Sequence, residues 1–176
     1  MSTPASLAER EFAIKAKDKA AVSEPSAFNK YAGGRQEAWC AHFASWIFAQ
    51  LGNPLPGYRV PSPSVANPTA GCSYLYEQAK KMGVLRSYPQ RDDIIFYKSS
   101  NPDKISGHVG IVTDVRDGKV VSIEGNLSDT VARVTHSLSD NKILGYANFY
   151  RAGLPLVGLV ALGGSFWLTL KYLNRK

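Results

Sequence analysis

The most constraining feature of this chain is a change of hydrophobic period at Asp93. After it come five short runs rich in β-branched and aromatic residues: Ile94–Tyr97, Val109–Val112, Val120–Ile123, Ala132–Thr135 and Gly145–Tyr150. Runs of that length bounded by turn residues predict strands. Asp117-Gly118, between the second and third runs, predicts a two-residue hairpin turn. Before Asp93 the apolar residues recur at helical spacing instead. Ser6–Ala21 predicts a charged helical arm that packs on the main domain or on a partner. Glu37–Leu51 predicts a second helix, with Trp39, Phe43, Trp46, Ile47 and Leu51 along one buried face. Ser73–Met82 predicts a third, closed by Gly83. Between the last two, prolines 54, 56, 61, 63 and 68 dictate a stiff, extended loop. Helices first and antiparallel strands after them imply an α+β fold.

Composition narrows the function. With 44% hydrophobic and 20% charged residues in 176, the chain is expected to hold one globular domain rather than a disordered, collagenous, coiled-coil or multi-span structure. Two cysteines, Cys40 and Cys72, exclude a dense disulfide scaffold and a four-cysteine zinc site. The net charge is +7. Four of those positive charges (Arg151, Lys171, Arg175 and Lys176) lie after residue 150, where no acid stands, so no basic stripe remains on the folded part and no nucleic-acid partner is expected. Met1-Ser2-Thr3-Pro4 and the charged residues after it do not read as a secretory signal.

The block from Ala152 to Leu170 has nineteen residues without a charge. As a helix it would extend roughly 28 Å, about the thickness of a bilayer's hydrocarbon layer. Arg151 stands before it and Lys171, Arg175 and Lys176 after it, so residues 152–170 are expected to insert into a lipid membrane. The basic end is then cytoplasmic and the main domain faces outward. The expected organisation is an N-terminal helical arm over 1–23, a domain over 24–150, and a membrane anchor with a basic tail over 151–176.

The candidate chemistry centres on Cys40. A helix start favours an anion, and its unpaired N–H groups can bind a developing oxyanion. Such a thiolate needs a base from elsewhere in the fold. His108 opens a predicted strand, and Glu124 and Asn126 end the next one, so a meander brings one of these beside the imidazole to fix its tautomer. Cys72 is expected to be a core or partly buried loop thiol, and its replacement nearly silent. His42, two residues after Cys40, is expected to point away from it and to pack or face solvent. His136 is expected to be exposed.

Trp39-Cys40-Ala41-His42-Phe43-Ala44-Ser45-Trp46 resembles the nucleophile helix of the CHAP family (cysteine, histidine-dependent amidohydrolases/peptidases). Asp93-Ile94-Ile95-Phe96 resembles its first core strand, which usually begins Gly-Asp; here Asp92 replaces the glycine. Gly107-His108-Val109-Gly110-Ile111-Val112 resembles its histidine strand, and Ile123-Glu124-Gly125-Asn126 its third catalytic segment. The resemblance covers about residues 24 to 150. It implies a papain-like fold, N-terminal helices packed on an antiparallel sheet, with a C-terminal hydrophobic helix added here. It implies Cys40 as nucleophile, His108 as base and Glu124 or Asn126 as orienting residue. Gln36, Tyr31 and Trp39 are the candidates for substrate or oxyanion contacts. The implied activity is hydrolysis of amide bonds in bacterial peptidoglycan, either the N-acetylmuramoyl–L-alanine bond or a peptide cross-link. The Asp-rich calcium loop of some members has no counterpart between Ser23 and Trp39, so no metal or other cofactor is expected.

With the tail, this reading favours a phage-derived or virion-associated hydrolase whose domain faces the cell wall. Delivery by a secretion or injection apparatus, whose proteins would then be partners, and a cellular envelope protein are the other routes. The rival readings are a catalytically silent wall-binding or assembly module and a tail-anchored intracellular cysteine hydrolase.

Overall fold

The computed structural model describes residues 2–65 and 67–152. The expected membrane segment lies, apart from Ala152, outside the described residues. No helix among the described residues is long and apolar enough to cross a membrane.

The first helix, α1 (Pro4–Lys17), starts two residues before its expected position. The cause is local. Thr3 accepts a hydrogen bond from the Ser6 amide at 3.3 Å, Ser6 Oγ accepts one from the Thr3 amide at 2.7 Å, and Pro4 sits at the first helical position, a reciprocal cap that fixes the start. The helix stops at Lys17, and Ala20–Val22 form a separate 3-10 turn. Ala5, Leu7 and Ala8 are buried, and α1 packs on three strands and on the Cys40 helix. The arm is therefore part of the domain's core. A short helix that the sequence reading lacks, α2 (Ser26–Ala32), follows.

Helix α3 (Cys40–Gln50) is shorter than the expected 37–51, because Trp39 already lies outside helical geometry as its N-cap. It also buries more than one face: Ala41, His42, Ala44, Ser45 and Phe48 are enclosed as well as Phe43 and Ile47. A helix apolar nearly all round belongs in the centre of a domain, and α3 lies between the other helices and the sheet. Helix α4 (Cys72–Lys81) begins one residue earlier than expected, directly at Cys72.

Six strands follow: β1 (Leu85–Arg86), β2 (Ile94–Lys98), β3 (Ser106–Arg116), β4 (Lys119–Leu127), β5 (Thr130–Ser137) and β6 (Ile143–Ala147). They form one sheet in the order β1-β6-β2-β3-β4-β5, and every pairing is antiparallel. Strands β2 to β5 are the expected meander, with Asp117 and Gly118 as the two-residue turn between Arg116 and Lys119; both have positive φ, as a type I′ hairpin turn requires. Strand β6 returns to the far side of β2. It stops at Ala147, and Phe149–Ala152 turn into a last short helix, α5, where a strand was expected to run on. The ring of Phe149 packs edge-on to Phe48.

Being central, β2 is buried on both faces. Ile94 and Phe96 join the main core with the helices, whereas Ile95 and Tyr97 join a smaller cluster with Val112, Val120 and Tyr146.

Asp92, which stands where a glycine was expected, has φ +77°, a conformation aspartate tolerates better than most side chains. Its Oδ1 accepts a hydrogen bond from the Ala5 amide at 2.9 Å, so it caps the start of α1 from 87 residues away in sequence. Replacing Asp92 by Ala removes this cap and leaves a β-carbon with no compensation at positive φ. We expect a loss of about 1–2 kcal/mol in urea unfolding, and a smaller loss for Asp92→Gly, which is free to take that backbone conformation.

Candidate active site

Cys40 is the first residue of α3, where backbone N–H groups have no intrahelical acceptor. The thiol is nearly enclosed, with 6% of the residue exposed. It borders a cleft of about 220 Å³ that Cys72, Lys104, Ser106 and Gly107 also line.

His108 lies on β3 and Glu124 on β4. The antiparallel pairing puts alternate residues of the two strands on one face, and His108 Nε2 lies 2.9 Å from Glu124 Oε2. Gly110 makes this possible: a β-carbon there would sit 2.6 Å from Glu124 Cγ. Gly125 does the same on the helix side, where a β-carbon would meet Phe43 at 2.5 Å and the Trp39 ring at 2.8 Å. The glycines of the two motifs are thus explained by close approach, one to the Glu124 carboxylate and one to the Cys40 helix.

Glu124 is buried, and its other oxygen is also occupied. Oε1 accepts hydrogen bonds from Tyr97 Oη and Ser122 Oγ, both at 2.6 Å. Burial alone would raise this carboxyl; the imidazole and the two hydroxyls outweigh it and hold Glu124 below the usual carboxylate range. The imidazole responds in turn. Burial opposes its charge, but its interactions with the Cys40 sulfur and the Glu124 carboxylate raise His108 to about 10. With Nε2 taken by Glu124, Nδ1 is the nitrogen left to trade a proton with sulfur.

The Cys40 thiol is lowered well below its ordinary value. The hydrogen bond with Cys72 contributes most, burial opposes, and His108 and the Ala41 amide add to the lowering. The arrangement therefore favours a thiolate beside an imidazolium.

The other residues singled out from sequence fall elsewhere. Asn126 sits at φ +60° where the β4–β5 pairing slips, and the carboxylate on His108 is that of Glu124. Trp39 is fully buried; its Nε1 donates to Glu24 Oε1 at 3.0 Å, so it supports α3 from the core instead of meeting substrate. Tyr31 is likewise buried, stacked on Trp39 at 5.3 Å, and its hydroxyl donates to Glu11 Oε2 at 2.6 Å. Its hydroxyl is engaged in the core and is not offered to an oxyanion. Gln36 is exposed in the segment before α3. His42 is buried, with Nε2 2.9 Å from Glu37 Oε1, and does not face solvent. His136 is only partly exposed: Nδ1 lies 2.9 Å from Asp140 Oδ2, and its ring lies 5.1 Å from that of Tyr97.

Three side chains were missed. Cys72, expected to stand apart from the chemistry, has its Sγ 3.5 Å from Cys40 Sγ. Ser122 carried a usable signal, since it lies two residues before Glu124 and so shares its face. Tyr97 became visible only through register, opposite His108 across β2 and β3.

No curated protein sequence matches the chain. Among solved structures, the crystal structure of Ly7917 is similar at 17% identity and a TM-score of 0.52, over 84% of this chain and 63% of that one. Ly7917 with the hydrolyzing product of MDP aligns over 36% of this chain and 30% of that one, at 18% identity and a TM-score of 0.31. A protein similar to a lipoprotein of the NLP/P60 family, from Staphylococcus aureus subsp. aureus Mu50, aligns over 70% of this chain and 38% of that one, at 15% identity and a TM-score of 0.39. The chain thus spans less than two thirds of the length of these structures. The first of them has the same papain-like α+β architecture. The CHAP domain matches residues 30–126, over half of the sequence and including Cys40, His108 and Glu124, and this chain belongs to the CHAP family.

Proposed function

We propose that the protein is a cysteine-dependent hydrolase of amide bonds in bacterial peptidoglycan. The observation that carries this reading is the continuous chain of contacts from Cys40 through His108 to Glu124, opening on a cleft in a CHAP domain. The Cys40 thiolate attacks the amide carbonyl. The Cys40 N–H, at the start of α3, helps bind the oxyanion. His108 protonates the leaving amine, and a water deprotonated by the same ring then releases the acyl group from sulfur. Glu124 keeps the imidazole oriented and stabilises its charge. The bond is either the N-acetylmuramoyl–L-alanine amide or a peptide cross-link. Two features of the geometry favour an enzyme over a silent wall-binding module: Cys40 stands at the first position of α3, and both carboxylate oxygens of Glu124 are engaged, one of them by His108.

The uncharged stretch over 152–170, followed by a basic end, fits a segment that inserts into lipid and holds the domain facing the wall. A wall hydrolase carrying such a segment fits a phage-derived or virion-associated protein.

Incubation with defined muropeptides, followed by mass analysis of the fragments, tests activity and bond together. Cys40→Ala should reduce release to background while the circular dichroism spectrum is unchanged; full activity in that variant overturns the nucleophile assignment. Glu124→Gln should lower kcat/KM by about 10²-fold, and Asn126→Ala should have a much smaller effect.

The kcat/KM profile should be bell-shaped. Its acid limb follows protonation of the lowered Cys40 thiolate and lies well below the value of a free thiol. Its basic limb follows loss of the raised His108 proton, near pH 10. In Glu124→Gln the imidazolium loses its carboxylate partner, so the basic limb should move to lower pH.

A further inference from the structure

The acyl-transfer chemistry needs one thiol, yet two line the cleft. Cys40 and Cys72 each occupy the first position of a helix, α3 and α4. They are 6% and 9% exposed, and their sulfurs are 3.5 Å apart. A disulfide requires about 2.05 Å, so closing the gap takes about 1.5 Å of sulfur movement, shared between two side chains. The cleft is large enough to admit a small oxidant beside both sulfurs. We propose that Cys40 and Cys72 form a reversible oxidation site, at which a peroxide-class oxidant converts the nucleophile to a Cys40–Cys72 disulfide and switches hydrolysis off. The switching part rests on the hydrolase reading; the pairing itself does not.

The steps balance. The Cys40 thiolate attacks one peroxide oxygen, the O–O bond breaks, and the departing hydroxide takes a proton to become water. Cys40 is left as sulfenic acid. The Cys72 sulfur then attacks the Cys40 sulfur; the S–S bond forms, the S–O bond breaks, and a second water carries away the Cys72 proton. Two thiols lose two electrons and the peroxide gains them. A dithiol reductant reverses the change by exchange.

The two sulfurs differ in ways that fit these roles. Cys40 has His108 beside it and starts as the thiolate, the form that peroxide attacks. Cys72 is held as the thiol: its hydrogen bond with Cys40, burial and the nearby Cys40 charge all raise it. Conversion of Cys40 to a neutral sulfenic acid removes that charge. Cys72 can then ionise at the N-terminus of α4, with Lys104 contributing positive charge nearby. Each state of the first sulfur thereby sets the reactivity of the second.

The test uses the full chain, reduced and then exposed to hydrogen peroxide, with iodoacetamide to trap remaining thiols. Peptide mapping should show a Cys40–Cys72 cross-link with the loss of two hydrogen atoms and no alkylation at either residue. Dithiothreitol should restore both thiols and muropeptide hydrolysis together. In Cys72→Ser the same treatment should carry Cys40 on to sulfinic acid, which dithiothreitol does not reverse. Sulfinic acid at Cys40 in the natural chain, with Cys72 still alkylatable, overturns the pairing. Hydrolysis by the cross-linked protein overturns the switch. If the reduced protein forms the cross-link but hydrolyses no muropeptide, the pairing stands and the hydrolase reading falls. Should Cys72→Ser fail to fold, Cys40→Ser serves instead: Cys72 must then remain alkylatable after peroxide.

Discussion

The geometry of the candidate site depends on where one carboxylate is fixed. Glu124 is buried, and a buried carboxylate persists only if donors replace the water it has lost. Tyr97, Ser122 and His108 supply them. Because the two hydroxyls saturate one oxygen, the other is directed at the imidazole, and its charge acts together with the Cys40 sulfur to keep His108 protonated. That charge in turn favours the sulfur anion at the start of α3. The hydroxyl groups of Tyr97 and Ser122 thus bear on the His108 proton indirectly, by fixing the carboxylate that helps to hold it.

Most of the fold was legible because its elements have strong local signals. The change of period at Asp93, the Asp117-Gly118 turn and the proline-rich loop are each written in consecutive residues. Errors arose where tertiary packing took over. Phe149 and Tyr150 have strand propensity, but packing of Phe149 on Phe48 sends the chain into a turn. The α3 periodicity suggested one buried face, whereas small residues such as Ala41, Ala44 and Ser45 let neighbours close on the other sides. Helix α2 is seven residues long, too short for periodicity to show.

The candidate site was legible in the three residues that the fold brings together and not in their surroundings. Cys40, His108 and Glu124 stand in motifs whose glycines record close contacts. Glu124 and Asn126 are two residues apart on one strand, so alternation does not separate them; the register of β3 on β4 and the break in the β4–β5 pairing after Glu124 do. Tyr31 and Trp39 look like binding residues by type, yet aromatic rings near a helix start more often pack than bind, and these two stack on each other in the core. Cys72 gave no local sign of its role, because its meaning comes from a sulfur thirty-two residues away.

The contact between α1 and Tyr31 bears on how small a working unit can be. The Glu11 carboxylate is buried and accepts from both Lys30 and Tyr31, and Tyr31 stacks on Trp39, the residue that precedes Cys40. A version trimmed to the 30–126 segment would lose Glu11, strand the tyrosine hydroxyl inside at about 1–3 kcal/mol, and remove the buried Ala5, Leu7 and Ala8 of a helix that packs on the sheet and on the Cys40 helix. The boundary that a family pattern draws is therefore narrower than the boundary that physics draws, and the leading segment is better regarded as a buttress behind the Cys40 helix than as a tether.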